Sequence, residues 1–341
     1  MNRKLCLARR PSGQVREKDL ELRAFPLDPL GPGEALVRNT WLSIDPSVRI
    51  RLDATTPLGY LPPLQPGDPL PGLALGEVVD SRHPELAVGD LVSHIHGYRD
   101  FAVVGGDTGT IGGYGGLTHL DTGGLPEQWF LGPLGSTGLT AYAGLVAVLQ
   151  LRDIDTIWVS AAAGGVGGVA AQLARLRGAT VIGSAGSADK VDRLRREFGI
   201  LAFDYRTDPP AEALAELAPA GIDAYFDNVG GDHLSAALRN MRTAGRIALC
   251  GAVSQYDGWS GAGPVDLFAM VSKQLRMQGF RAGSFLHLEP AMRAEIGGHI
   301  TAGRLVHRET VFDGLERSAT ALRALLAGRT TGKTLCRLSH D

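Results

Sequence analysis

VSAAAGGVGGVAAQLARLRGA, residues 159–179, joins an apolar entry to a glycine-rich turn and then to an amphipathic run. Ile157, Trp158 and Val159 mark a buried strand over 156–161, and apolar spacing predicts a helix over 167–177. Gly164 and Gly167 lack a Cβ, which permits positive φ, close approach of backbone to a pyrophosphate, and tight packing of helix on strand. The helix N-terminus adds unpaired amide donors and a partial positive charge, which suit a phosphate. Ala161, Gly164, Gly165, Val166 and Gly167 are therefore the candidate phosphate cradle. An ordinary αβ turn has the same composition, so the flanking pattern has to decide between them.

Working outward, strands and helices alternate. Strands are expected at 180–184, 201–204, 224–228, 246–250 and 276–280, with helices at 188–197, 210–217 and 232–240. This succession predicts βαβ units and a doubly wound parallel sheet with ligands beyond the carboxyl ends of its strands. Upstream, an apolar segment starting at 136 predicts a helix with Ser136 or Thr137 as N-cap. Residues 3–104 show short alternating apolar runs between Gly, Pro and Asp, the pattern of an antiparallel β domain of barrel or sandwich type. A proline-rich loop follows Asp53 and contains Tyr60, and the glycine-rich stretch 105–124 reads as a mobile connection. After a helix and turn beyond 286 come a helix over 317–327 and a strand over 334–338, so the C-terminal part is expected to complete the first domain. The expected boundaries are 1–124, 125–292 and 293–341.

At 341 residues the chain is long enough for two cores, and 44% hydrophobic with 21% charged residues excludes extensive disorder. A net charge of −2 without long like-charged runs gives no handle for nucleic acid or an anionic membrane surface. No signal peptide or membrane span stands out, which points to the cytoplasm. Cys6, Cys250 and Cys336 form no CxxC pair and read as small buried residues in a reducing compartment. His94 and His96 share a strand face without a third ligand at suitable spacing, so they read as a polar face and no metal is expected. GxSxG, HExxH and a P-loop are absent from the sequence.

The expected strand ends carry the chemistry. A site for NAD would place an acid about 20 residues after the glycine turn. Here the second strand runs into Ser184, Gly186 and Ser187, with Lys190 just beyond, and small polar groups beside a cation fit a ribose 2'-phosphate. The cofactor expectation is therefore NADP(H), with a solvated helix lysine as the alternative for Lys190. Asp189 falls in a helix first turn, where the helix dipole accounts for it. Tyr205 and Arg206 follow the third strand, Asn228 closes the fourth, and Gly251 to Ser254 close the fifth. Asn228 also suits a plain turn before Gly230. Tyr256 offers a phenolic O–H able to steady an oxyanion, or is an exposed loop tyrosine.

The order of AxxGxxG (Ala161, Gly164, Gly167), GSAGSADK, FDYRT, FDNVGG, CGAVSQY and a C-terminal GKT resembles the zinc-free medium-chain dehydrogenase/reductases. Within them it is most similar to the prostaglandin reductase, plant double-bond reductase and curcumin reductase group, and LSIDPSVRIRLD and GSTGLTAY extend the resemblance over nearly the whole chain. It implies an α/β fold, a Rossmann doubly wound parallel sheet with a GroES-like β-rich substrate domain. It also implies NADPH-dependent reduction of the double bond of an activated alkene, an α,β-unsaturated aldehyde or ketone, by hydride transfer to the β-carbon. Carried over by motif, Lys190 and Tyr205 serve the 2'-phosphate end, Asn228 the middle of the cofactor and Phe280 the nicotinamide, while Ser187, Gly251 and Ser254 remain cofactor candidates from their places at the expected strand ends. Tyr256 stands beside the substrate carbonyl and Tyr60 in the substrate loop. A homodimer paired through an edge strand belongs to the same resemblance. Three departures are Ser47 in DPSVR in place of an aromatic residue, the glycine-rich stretch 105–116, and Thr330–Thr331 where an Asn usually precedes GKT. Thr330 is thereby a candidate cofactor contact. The alternatives are an NADPH:quinone oxidoreductase and, in another class, a non-catalytic NADPH-binding protein.

Overall fold

The computed structural model describes residues 1–106, 108–111, 113–257 and 267–338. It divides into two compact units, one of residues 1–131 with 309–341 and one of 132–308. The first stretch supplies strands β1 (Asn2–Leu7), β2 (Leu20–Phe25), β3 (Glu34–Ser43), β4 (Ala74–Ser81), β5 (Leu91–His94), β6 (Phe101–Gly105) and β7 (Thr118–His119). Alternation along β3 turns Ala35 and Val37 into a core shared with Val78, Val92, Ala102 and Val104. The stretch expected to be a mobile connection is packed in its second half. There β7 pairs with β5, Leu120 joins Leu75 and Leu131 in a cluster, and Leu117 packs on the β3 core. These two leucines bury enough apolar surface to order a glycine-rich chain. Asp107 and Gly112 of that stretch lie outside the described residues.

His94 and His96 do not form a polar face. His94 is fully buried, its Nδ1 accepts the His96 N–H (3.1 Å), and its Nε2 finds no partner among the described residues. Burial lowers the His94 pKa to about 3 and that of His96 to about 4, so both rings are neutral in ordinary buffers.

The second unit opens with α1 (Ser136–Ala143), continued by a π turn over Gly144–Val148. Ser136 and Thr137 lie inside this helix rather than capping it; Gly135 is the N-cap, and Thr140 Oγ1 donates back to the Ser136 carbonyl (2.7 Å). Then follow β8 (Thr156–Val159), α2 (Gly165–Leu176), β9 (Thr180–Ala185), α3 (Ala188–Phe198), β10 (Leu201–Asp204), α4 (Pro210–Leu217), β11 (Ile222–Asp227), α5 (Gly231–Asn240), β12 (Met241–Leu249), α6 (Phe268–Ser272) and β13 (Arg276–Gly279). The strands form one parallel sheet in the order β10-β9-β8-β11-β12-β13, a Rossmann-type doubly wound arrangement. Central strands are apolar on both faces because helices cover both, and Trp158, Ile182, Phe203, Tyr225 and Ile247 fill the core with Leu214. β12 begins five residues before the expected strand, at Met241; the three residues after Met241 are exposed, so no alternation announced the early start.

Asp155 ties the start of β8 down. Its buried carboxylate accepts from the Arg152 guanidinium (2.8 Å) and from Arg246 (2.5 Å). Burial alone would raise its pKa, but the hydrogen bonds from Arg152 and Arg246 outweigh it and hold the carboxyl below its usual value. The ionised form is therefore the one folding favours, and this stabilisation is present at neutral pH and is lost as pH falls through the lowered folded value. Asp155→Ala is expected to cost about 3 kcal/mol in urea unfolding at neutral pH, because the Arg246 guanidinium loses its acid. A loss under about 0.5 kcal/mol, the range of an ordinary surface change, would refute this role.

α7 (Glu289–Thr301) remains with the second unit, so the return begins later than the expected boundary at 293. Met292 and Ile296 are buried, Arg293 donates to the Leu134 carbonyl (3.0 Å), and Glu295 pairs with Arg177 (2.6 Å). The return itself consists of β14 (Glu309–Asp313), a strand the sequence reading left unassigned, α8 (Ser318–Leu326) and β15 (Lys333–Arg337). It completes a sheet of order β14-β15-β3-β4-β5-β7, with β6 also paired to β3. No helix among the described residues is long and apolar enough to cross a membrane.

Candidate functional site

The turn between β8 and α2 is held from both sides. The Ala162 N–H donates to the Ser184 carbonyl at the end of β9 (3.0 Å), and the Gly164 N–H donates to the Ala161 carbonyl (2.9 Å). Positive φ falls on Ala161 (49°), while Gly164 is extended at φ −88° and ψ −178°. Glycine is therefore required here for space rather than for dihedral freedom. A Cβ on Gly167 would overlap the Ala161 carbonyl oxygen and stand 3.0 Å from the Ala162 Cα, so α2 rests directly on the backbone of the turn. The first-turn amides of Gly165, Val166 and Gly167 have no acceptor within the helix and lie at its positive end. This cradle fits a pyrophosphate.

At the end of β9 there is no carboxylate in the expected place. Ser184 is buried and accepts from Trp158 Nε1 (3.2 Å), and Ser187 is the N-cap of α3, accepting the Lys190 N–H (3.4 Å). The Lys190 ammonium is half-buried, and burial first, then the nearby Arg206 charge, lowers its pKa. Tyr205 continues β10 by donating its N–H to the Ala185 carbonyl (3.1 Å), and its phenol lies over Gly186, where a Cβ would stand 2.7 Å from Oη. Asp204, the acid that ends β10, accepts the Arg206 N–H (3.0 Å).

Beyond β11 the hub is Asp227, read in the sequence only as part of FDNVGG. Its buried Oδ1 accepts from Tyr225 Oη (2.7 Å) and from the Val229 and Gly230 N–H groups (2.8 Å each), which sets the turn into α5. Burial nevertheless pushes this carboxyl above its usual value. An acid closing the apolar run Ala224–Phe226 was the signal for it. Asn228 donates its N–H to Ser160 Oγ (2.9 Å) and its Nδ2 to the Ser160 carbonyl (2.8 Å), clasping β11 to β8. Gly251 donates to the Asp227 carbonyl (3.1 Å), and Ser254 Oγ donates to the Val229 carbonyl (2.6 Å). The Tyr256 hydroxyl stands over Gly251, 3.3 Å from where a Cβ would be. Phe280 meets Phe226 and Phe285 edge-on at 6.1 Å. These residues thus gather at the carboxyl ends of β8 to β13, as the sequence pattern implied.

Tyr60 and Thr330 belong to the other unit. Tyr60 donates its N–H to the Pro57 carbonyl (3.0 Å) in a loop that Arg51 fastens through the Pro62 carbonyl (2.9 Å). Thr330 is buried just ahead of β15, where Thr331 and Thr310 exchange hydrogen bonds of 2.7 and 3.1 Å. Lys333 of the GKT motif pairs with Asp45 of DPSVR (2.5 Å), which gives that motif a structural role. Among the described residues no three His, Cys, Asp or Glu side chains come together to hold a metal, and the thiols of Cys6, Cys250 and Cys336 are free.

Residues 3–111 match the family described as N-terminal domain of oxidoreductase, and residues 165–295 the family described as zinc-binding dehydrogenase. The chain is 36% identical to a 2-alkenal reductase (NADP(+)-dependent) of Nicotiana tabacum, over 100% of this chain and 98% of that one. It is 33% identical to the NADPH-dependent curcumin reductase of Escherichia coli (strain K12), with 100% and 98% covered. CurA from Vibrio vulnificus, solved in complex with NADPH, matches it with a TM-score of 0.90 at 31% identity, covering 99% of this chain and 100% of that one.

Proposed function

The chain belongs to the medium-chain dehydrogenase/reductases, among the alkenal, curcumin and prostaglandin reductases, and on that premise we propose that it uses NADPH to reduce the carbon–carbon double bond of α,β-unsaturated aldehydes and ketones. The observation that carries this reading is the glycine cradle joined to a strand end that has Lys190 and Arg206 where an NAD site would have an acid. The amides of Gly165 to Gly167 hold the pyrophosphate, and Lys190, Tyr205 and Arg206, with Ser187 fixing the start of α3, hold the 2'-phosphate. Asn228, Gly251 and Ser254 shape the floor along the middle of the cofactor, and Phe280 packs at its nicotinamide end.

Bound there, the nicotinamide supplies the hydride that the β-carbon of the alkene accepts. Tyr256 donates its phenolic hydrogen to the substrate carbonyl oxygen as negative charge builds on it, and solvent protonates the α-carbon. Tyr60 offers an aromatic wall to the substrate, and Thr330 serves the cofactor from the return segment. No metal takes part. The protein acts as a homodimer paired through the open edge of β13, a reading supported by the exposed side chains of Leu267, Phe268 and Val271 leading into that strand. Its three free thiols suit the reducing cytoplasm.

Following NADPH absorbance with a panel of enals, enones and quinones tests the activity. Oxidation with enals and enones to the saturated carbonyl is the expected result; consumption with quinones alone, or none with any acceptor, overturns it. Tyr256→Phe is expected to lower turnover by about 100-fold, the effect of removing one oxyanion donor, with NADPH affinity unchanged. Undiminished turnover would take Tyr256 out of the mechanism.

A further inference from the structure

Four aromatic rings run in sequence from the middle of the sheet to the 2'-phosphate end of the site. Tyr225 in β11 stacks on Trp158 in β8, with centroids 4.3 Å apart and planes 17° apart. Trp158 stacks on His233, the third residue of α5, at 5.5 Å and 13°. His233 in turn meets Tyr205 edge-on, at 5.0 Å and 71°. The inner end is pinned by hydrogen bonds: Tyr225 Oη donates to Asp227 (2.7 Å), and Trp158 Nε1 donates to Ser184 (3.2 Å). Asp227 also receives the Gly230 N–H (2.8 Å), and the Gly230 carbonyl receives the His233 N–H (3.1 Å), so one buried acid positions both the stack and the helix turn that carries His233.

Tyr205 is the outer ring and is 36% exposed, whereas His233 beneath it is 6% exposed. The phenol is confined between the His233 imidazole and Gly186, where there is no side chain. Burial lowers the His233 pKa to about 4, so the imidazole is neutral and brings no charge toward a phosphate. Its Nε2 is buried with no hydrogen-bond partner among the described residues, so a polar atom occupies a place that a phenyl ring could fill. What His233 contributes is a flat surface in a fixed place.

We propose that His233 is a positioning residue that orients Tyr205 and so sets the preference of the site for an adenosine carrying a 2'-phosphate. The proposal rests on the 2'-phosphate reading given above. With the ring removed, Tyr205 gains rotamers that it must lose again on binding, and only the ligand that carries a 2'-phosphate feels the difference.

The test is calorimetric titration of the full chain with adenosine 2',5'-bisphosphate and, separately, adenosine 5'-monophosphate. His233→Ala and His233→Leu are expected to weaken the bisphosphate about tenfold and leave the monophosphate unchanged. His233→Phe, which keeps a flat ring, restores the bisphosphate affinity. Tyr205→Ala gives the same loss as His233→Ala, and the double variant loses no more than either single one. Thermal melting identifies any variant that fails to fold, and the Leu and Phe variants, which keep the volume filled, carry the result if Ala does not fold. Equal weakening of both ligands, or no weakening in any folded variant lacking the ring, overturns the proposal. Lys190→Ala titrated alongside separates the two layers: if it loses the bisphosphate while the His233 variants do not, only the positioning role fails; if it also has no effect, the 2'-phosphate reading fails with it.

Discussion

Gly167→Ala is expected to weaken NADPH binding by about 100-fold, which is about 2.8 kcal/mol, and to destabilise the free protein by roughly 1–3 kcal/mol. The added methyl meets the Ala161 carbonyl oxygen and the Ala162 Cα, which are backbone atoms that cannot swing aside as a side chain would. To relieve the overlap, α2 must withdraw from the turn, and its first-turn amides then no longer converge on one point. Losing two hydrogen bonds to a charged pyrophosphate accounts for an affinity loss of this size. Gly164→Ala is the internal control for stability. Gly164 has dihedrals open to any residue, and its Cβ would come no nearer than 3.2 Å to the Ala161 oxygen, so only a small loss of stability is expected. Melting of both variants and calorimetric titration of NADPH into Gly167→Ala check this. Wild-type affinity in Gly167→Ala would sink the cradle assignment.

Lys190→Ala is expected to lose about 10- to 100-fold in NADPH affinity and nothing in NADH affinity, so that the preference between them collapses. The loss corresponds to one charge-assisted hydrogen bond to the 2'-phosphate. Lys190 also has a lowered pKa in the folded protein, from burial and then from Arg206, so its charge opposes folding at neutral pH. That penalty is relieved as pH rises through the lowered folded value. The Ala variant is therefore expected to be no less stable than the parent at neutral pH while binding NADPH poorly, a separation of stability from affinity that melting and titration read independently. Equal affinity of the parent for NADPH and NADH would remove the phosphate assignment altogether.

Much of the second unit was legible because alternation and caps agree there. β10 and α4 have the bounds that the sequence pattern implied, and α3 is capped by Ser187 at its start and by Gly199, which takes φ 62°, at its end. What stayed hidden has physical causes. The left-handed residue of the turn is an alanine, so no glycine announced it. The glycine content of 105–124 masked two leucines that bury it, and the exposed residues after Met241 concealed the early start of β12. Asp227 was visible as an acid ending an apolar run, but its donors exist only once Val229 and Gly230 have turned back. His233 gave no signal, since its ring partners come from β8 and the end of β10, far away in the chain.

The placing of β15 beside β3 governs how the chain can be made. Asp45 and Lys333, paired in the finished structure, are 288 residues apart, and Ile44 donates its N–H to the Thr334 carbonyl (3.1 Å). While a ribosome synthesises the protein from its N-terminus, the Trp41–Ser43 end of β3 waits with an uncovered backbone, and its core lacks Leu315, Leu322 and Cys336. The parallel sheet of the second unit has all six strands once residue 279 has emerged. A nascent chain therefore acquires the unit with the glycine cradle before it can close the one that begins the polypeptide. Mutations that slow or weaken the last strand would be felt as aggregation during synthesis rather than as lost cofactor binding.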